Sequence, residues 1–131
     1  MALLATEMQT LSNVVKHEYD IARAYCRELV TVNDAAQTLA IGTVLGKVTA
    51  DGKYKVAVQT AEDGSAVADA IVISVKTIPA TTDTEVLCMV RGPASINKAG
   101  LVLDATYNLD AEKAAVYAAL EAKGIQCLDA V

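Results

Sequence analysis

The residues that come closest to a chemical site lie in the stretch 42–49, Gly-Thr-Val-Leu-Gly-Lys-Val-Thr, which is similar to a phosphate-binding loop. That loop reads G-x-x-x-x-G-K-[ST] between a strand and a helix, because its backbone N–H groups surround the phosphates and its hydroxyl reaches Mg²⁺. Here only three residues separate Gly42 from Gly46, and Val48 stands where the hydroxyl must be. Residues 50–53, Ala-Asp-Gly-Lys, then form a hairpin-turn signal rather than a helix start. The stretch therefore predicts a strand, a turn and a returning strand, and not a nucleotide site.

Nucleophilic and metal chemistry find little support in the other reactive residues. A Cys–His pair would need the single histidine, His17, beside one of the thiols of Cys26, Cys88 and Cys127, together with a third, orienting group, and His17 lies in the N-terminal segment. Zinc sites use closely spaced ligands, whereas the three cysteines are widely separated in the sequence. Most acidic residues stand beside Gly, Ser or Thr, where turns and helix caps account for them. We therefore expect no catalytic residue, metal or cofactor; two adjacent buried carboxylates in a cleft would favour the alternative of a small enzyme.

Composition narrows the possible functions further. The chain has 131 residues, which is enough for one domain, and it is 53% hydrophobic without any Phe or Trp. Such small side chains suit packed strands better than a ligand pocket, so no small-molecule substrate is expected. A net charge of −5 argues against nucleic-acid binding, and no apolar run approaches the roughly 18 residues of a membrane span. The N-terminus lacks a signal-peptide pattern, and three separated cysteines fit reduced thiols.

Strand signals dominate from residue 26 onward. Apolar, β-branched runs alternate with turn residues, as in CRELVTV, LAIGTVLGKVT, DGKYKVAVQT, AVADAIVISVKTIPA and EVLCMVRGPASIN. Side chains alternate across a strand, so Gly42 and Gly46 are expected on one face, where glycine permits close approach of another backbone. Cys88 is expected to be a small core residue. These features predict a mainly β fold, a compact barrel-like or sandwich-like domain.

One α-helix is predicted near the C-terminus, in NLDAEKAAVYAALEAKGIQCL. Asp110 is the predicted N-cap and Glu112 lies in the favourable first turn. Lys123 is expected in the last turn, with Gly124 as the C′ residue. The helix is expected to pack its small-residue face, which consists of Ala111, Ala115 and Ala118, across one barrel mouth. The final residues of the chain are expected to form a short strand or tail.

The N-terminal residues differ in sequence pattern from the rest of the chain. Residues 1–20 mix polar, charged and apolar types without a clean period. They predict an extended arm that orders on a partner, and a frayed terminus is the alternative. Residues 21–131 form the predicted β-rich domain.

The order of these segments resembles the head decoration proteins of tailed bacteriophages, the lambda-like capsid-cement family. GTVLGKVT, DGS followed by an apolar strand, VRGPA and a helix ending in KGI carry the likeness, over roughly residues 14–128. The resemblance implies a non-enzymatic β-barrel protein that binds as homotrimers to the outer surface of the expanded icosahedral head, at threefold and quasi-threefold sites. It also implies an N-terminal arm that contacts the major capsid protein, often by adding a strand to it.

From this resemblance we expect a virion protein, assembled in the bacterial host cytoplasm, that stabilises the capsid against the pressure of packaged DNA. An alternative of a different class is a tail or fibre-associated β-domain that recognises a host surface. Arg91 ends an apolar strand, where it either forms an ion pair across a subunit interface or is simply solvated. The expected capsid-binding arm residues are Leu11, Val14, Val15, His17 and Tyr19. The expected trimer-interface residues are Gly42, Gly46 and Arg91.

Overall fold

The structure is a computed structural model that describes residues 14–23 and 25–129, and within them the predicted mainly β fold is confirmed. The helix α1 (Asp110–Glu121) lies near the C-terminal end of these ranges, which also contain two short 3-10 turns. The strands are β1 (Val15–Glu18), β2 (Arg27–Val32), β3 (Gln37–Leu39), β4 (Val44–Lys47), β5 (Tyr54–Val56), β6 (Ala68–Val72), β7 (Lys76–Ile78), β8 (Thr84–Met89), β9 (Ala94–Asn97) and β10 (Ile125–Leu128).

Five strands close into a barrel in the order β2-β5-β4-β6-β8. β2 and β8 are antiparallel over six residue pairs, whereas β5 joins β2 through the single parallel pair of Val32 with Tyr54. Small branched side chains fill the barrel because a barrel of few strands has a narrow interior. The buried members of this cluster are Val30, Val32, Leu39, Leu45, Ala70, Val72, Ile78, Val86, Cys88 and Val90.

A second layer covers one side of the barrel. It consists of the three-stranded sheet β1-β9-β10, in which β1 is antiparallel and β10 parallel to β9, together with α1. A second apolar cluster joins Ile71 and Met89 of the barrel to Ile96 of the sheet and Leu120 of the helix. The sheet and the helix are thereby fixed to the barrel by hydrophobic burial.

The helix differs from its prediction in which face it buries. The face carrying Val116 and Leu120 packs into the core, against β6 and β10. The predicted packing of the small-residue face is wrong, because larger side chains bury more apolar area per contact. The alanines of that face are exposed: Ala111, Ala115 and Ala118.

The helix ends lie close to their predicted positions. Leu109, rather than Asp110, is the N-cap, and its backbone N–H donates a hydrogen bond to the Glu112 carboxylate at 3.1 Å. Glu112 thus satisfies the N-cap backbone from inside the helix, so the cap needs no polar side chain of its own. Gly124 has φ +86° two residues after the C-cap Ala122, one residue later than predicted. The predicted final strand is confirmed as β10.

Two of the predicted strands are each divided in the structure. Gly42 has φ +99°, in the left-handed region, so the run over residues 39–49 turns there and separates β3 from β4. Gly42 and Gly46 therefore do not share one strand face as predicted. The apolar run over residues 66–80 likewise divides into β6, in the barrel, and β7, which pairs with β3 in a separate two-stranded sheet.

Candidate interaction surface

Residues 42–49 fold as the predicted strand and turn, and not as a phosphate-binding loop. β4 and β5 pair as an antiparallel hairpin, in which the Gly52 N–H donates to the Val48 carbonyl at 2.9 Å. The Val48 N–H in turn donates to the Lys53 carbonyl at 2.8 Å. A strand end followed by a tight turn does not present a helix N-terminus to an anion, which phosphate binding requires.

The two glycines of this stretch allow close packing within one chain. A Cβ atom at Gly42 would overlap the carbonyl oxygen of Gly100, and one at Gly46 would overlap the backbone of Ser65. The predicted close approach of a second backbone therefore occurs, and the approaching backbone belongs to the same chain. A part for Gly42 and Gly46 in a trimer contact stays a prediction.

The DGS turn, residues 63–65, is hydrogen-bonded to the β4–β5 hairpin. The Ser65 N–H and Oγ–H both donate to Asp63 Oδ1, at 3.0 and 2.5 Å, and Lys55 Nζ donates to the other carboxylate oxygen at 3.2 Å. These hydrogen bonds, those of Ser65 first, lower the pKa of Asp63 to about 2. The Asp63 carbonyl also accepts from the Thr49 N–H at 2.9 Å. The carboxylate is therefore occupied in holding the turn.

The VRGPA and KGI segments contact each other in a similar way. Gly92, which precedes Pro93 through a cis peptide bond, lies against the backbone of Gly124, so that a Cβ at Gly92 would overlap the Gly124 carbonyl. The Gly92 N–H donates to the Lys123 carbonyl at 2.8 Å, and the Ala94 N–H donates to the Gly124 carbonyl at 3.2 Å. The segments that carry the family resemblance thus meet in pairs and hold the fold together.

The residues predicted for the capsid-binding arm have different environments. Leu11 lies outside the described residues. Val14 is fully buried in the core, and Val15 is half-buried on β1. His17, also on β1, is exposed, and Tyr19 is 51% exposed. The part of the predicted arm from Val14 to Glu18 therefore packs on the barrel domain, and the capsid contacts of these residues stay predictions.

Tyr19 and Arg91, which the sequence assigned to different interfaces, belong to one surface. We call it the Tyr25 patch, after its central residue, and it comprises Tyr19, Tyr25, Glu28 and Arg91. The rings of Tyr19 and Tyr25 meet edge to face with centroids 5.6 Å apart, and the Arg91 guanidinium lies 5.5 Å from the Tyr25 centroid. Arg91 also donates to the Tyr25 carbonyl at 2.6 Å and to Glu28 Oε2 at 3.0 Å.

Sequence reasoning missed Tyr25 and Glu28 because the patch is assembled by tertiary contacts. Glu28 precedes Arg91 by 63 positions, and the β2–β8 pairing brings the two together. The signal that was present is the pair of tyrosines six positions apart, Tyr19 and Tyr25. Tyr25 is 48% exposed and Tyr19 is 51% exposed, so the patch presents aromatic surface to solvent.

The composition of the patch suits contact with another protein. Tyrosine and arginine are enriched at protein interfaces, where they supply large contact areas. The Glu28–Arg91 pair has no net charge, so a partner protein can cover it without burying an uncompensated charge. Arg91 forms an ion pair with Glu28 of the same chain; an ion pair of Arg91 across a subunit interface stays a prediction.

Other surfaces of the described part offer less specific chemistry. Two open grooves flank residues 101–105, and Glu18 is the one buried carboxylate in the described ranges. No group of three or more His, Cys, Asp or Glu in these ranges could hold a metal ion. Over the same ranges, no helix has the length and apolar character needed to cross a membrane.

A small β-barrel that presents a neutral aromatic and arginine patch has the properties of an interaction domain. The family model of bacteriophage lambda head decoration protein D matches residues 4–125. The chain therefore belongs to this family of head decoration proteins, and the resemblance drawn from the sequence is confirmed. The family is structural rather than catalytic, binds the capsid and is located on its outer surface. A comparison with curated proteins gave no match.

Proposed function

We propose that this protein binds as a homotrimer to the major capsid protein, at threefold and quasi-threefold sites of the expanded head. There it stabilises the shell against the pressure of packaged DNA. The observation that carries the proposal is the family match over residues 4–125, which includes the N-terminal segment as well as the barrel domain. We further propose that residues 1–13 make the principal capsid contact and that assembly occurs in the host cytoplasm.

Simple energetics favour a trimer for this task. A short segment that becomes ordered on a neighbour's sheet gains main-chain hydrogen bonds but loses conformational entropy, so one copy binds weakly. Three linked copies raise the effective concentration of the second and third contacts without any new chemistry. Binding that is confined to the expanded shell then shifts the shell away from disassembly by mass action.

The proposed trimer contact is the Tyr25 patch. Arg91 is held in place by Tyr25 and Glu28, so little side-chain entropy is lost when a second copy covers it. The exposed Tyr19 extends the contact beyond the ion pair. In a cyclic trimer the patch meets a different surface of the next copy, because such an interface is heterologous.

The first experiment measures mass and shell binding. Native mass spectrometry should give three times the 13.7 kDa chain mass, and co-sedimentation with expanded shells should saturate at a fixed ratio. A variant lacking residues 1–13 should remain trimeric and lose binding, since the described fold begins with the buried Val14. A monomer that ignores shells would refute the proposal, and binding to host cells instead would support the tail-fibre alternative.

The trimer contact has its own test in Arg91→Ala. We expect the trimer dissociation constant to rise roughly tenfold to a hundredfold, as for a central arginine of an interface. The matched control is Lys53→Ala, which removes another exposed ion pair, 3.0 Å from Asp83 and outside the patch. Sedimentation equilibrium distinguishes the two variants; equal dissociation constants would show that the contact lies elsewhere.

A further inference from the structure

We propose that Glu18 and Arg27 anchor the N-terminal segment mechanically. Their ion pair ties β1 to the barrel, so that a pull on residues 1–13 is borne by the barrel. This inference rests on the proposed function, in which residues 1–13 contact the capsid. It adds the route by which that contact acts on the rest of the protein.

The strand pairing of β1 does not by itself reach the barrel. In the described part of the chain, β1 pairs with β9, and β9 pairs with β10, all outside the closed barrel. The β1–β9 ladder is also short and irregular, with a register shift between Val15 and His17. A pull on β1 could therefore separate it from β9 unless side chains fix it elsewhere.

The Glu18–Arg27 pair supplies such a connection. Arg27 is the first residue of β2, a barrel strand, and it donates from Nε and Nη2 to the two carboxylate oxygens of Glu18 at 2.7 and 2.8 Å. Two parallel charge-assisted hydrogen bonds fix both distance and orientation. The last residue of β1 is thereby held directly on the barrel.

Burial distinguishes this pair from the other ion pairs of the described residues. The Glu18 side chain is 1% exposed and that of Arg27 is 22% exposed, whereas the carboxylates of the other pairs are 20% to 86% exposed. Solvent-exposed ion pairs are screened by water and contribute little to stability. Separating a buried pair leaves a charge without compensation, so the Glu18 connection resists opening.

Val14 and Tyr19 fix the two ends of the same strand. Val14 follows residues 1–13 directly and is fully buried in the cluster that contains Val44 and Met89 of the barrel region. The Tyr19 N–H donates to the Pro93 carbonyl at 2.9 Å. A force on residues 1–13 therefore acts first on the buried Val14. The Glu18–Arg27 ion pair then keeps β1 from moving relative to the barrel.

The test uses Glu18→Gln, which keeps the shape but removes the charge, and Arg27→Lys, a milder change that keeps the charge but loses the forked geometry. Asp129→Asn is the matched control, because its carboxylate is 86% exposed and pairs with Lys98 beside the same sheet. Amide hydrogen exchange is followed in the full-length proteins over residues 14–19 and over the barrel strands. The rate of release from preloaded expanded shells on warming is measured in parallel.

We expect Glu18→Gln to speed exchange over residues 14–19 roughly tenfold while barrel exchange stays unchanged, and to speed release from shells. Arg27→Lys should have a smaller effect in the same direction, and Asp129→Asn none. Uniformly faster exchange, unchanged exchange, or faster local exchange with unchanged release would each overturn the anchor. Failure of the unaltered protein to bind shells would instead refute the proposed function, and the exchange data would still decide whether β1 is anchored.

Discussion

Replacing Gly46 by alanine should destabilise the protein more than any simple surface change. A Cβ atom there would lie 2.5 Å from the carbonyl carbon and 2.7 Å from the Cα of Ser65, besides overlapping the Ser65 oxygen. Carbon atoms in favourable contact are separated by roughly 3.5 Å or more, so the backbones must move apart by about 1 Å. All three atoms belong to the backbone, and no side-chain rotation can relieve the overlap.

The energetic cost follows from what that movement breaks. Ser65 is fully buried and bound to the Asp63 carboxylate, and Gly46 pairs with Ala68 at a register shift in the β4–β6 ladder. Overpacking typically costs about 1 to 3 kcal/mol, and a lost ladder hydrogen bond about 1 kcal/mol more. We therefore expect a loss of about 3 kcal/mol, which lowers Tm by roughly 10 °C in a domain of this size.

Thermal unfolding followed by circular dichroism measures the effect, with Gly52→Ala as the control. A Cβ at Gly52 would have no neighbour closer than 3.7 Å, so only its φ of +73° penalises alanine, by about 1 to 2 kcal/mol. If Gly46→Ala unfolds no earlier than Gly52→Ala, the packing argument is wrong. A Gly46→Ala protein that keeps its Tm but becomes monomeric would favour the predicted subunit contact instead.

Two further predictions concern titratable groups. Burial raises the pKa of Cys88 to about 12, and it is the largest cause that raises the pKa of Cys127 to about 11. Both thiols of the folded protein should therefore react with a disulfide reagent at pH 8 roughly a hundredfold slower than the same thiols in urea. Equal reaction rates would contradict the buried placement of the two cysteines. The folded pKa of Asp63, about 2, is below its ordinary value of 3.8, so its stabilising contribution is present above pH 4 and is lost as the pH falls towards 2. The Tm of the unaltered protein should therefore fall more between pH 4 and 2 than that of Asp63→Asn, and parallel curves would exclude the Asp63 contribution.

Sequence patterns predicted the strands and the helix because those depend on local properties. Alternating β-branched residues and turn glycines marked β2, β4 and β5, and the alanine-rich stretch marked α1. What failed depends on tertiary context. The run over residues 39–49 looks continuous, and the sequence does not show that Gly42 adopts a positive φ at a point where the Gly100 backbone lies close to it. The buried face of α1 was misjudged because the alanine face was preferred to the face of Val116 and Leu120, whose larger side chains bury more apolar area.

The candidate site was predictable only in part for the same reason. Arg91 was identified by its place at the end of an apolar strand, and Tyr19 by its place near the N-terminus. Their common partner, Tyr25, and the carboxylate of Glu28 are recognised only when β2 and β8 pair. The Glu18–Arg27 pair was likewise invisible, since nine positions separate two charged residues in strands of different sheets.

The residues that identify the family and the residues that we propose for binding are largely different, and this separation has a physical basis. Gly46 and Gly92 each lie so close to another backbone that a Cβ atom would overlap it, and Gly124 has a positive φ, so changes there alter the fold itself. Tyr25 rests on the surface, where a substitution changes contact area without opening the core. The barrel can therefore keep one architecture while the patch that we propose as the trimer contact varies. Arg91 adjoins Gly92 and belongs to both groups, so it is the residue at which altered binding and altered folding must be separated by experiment.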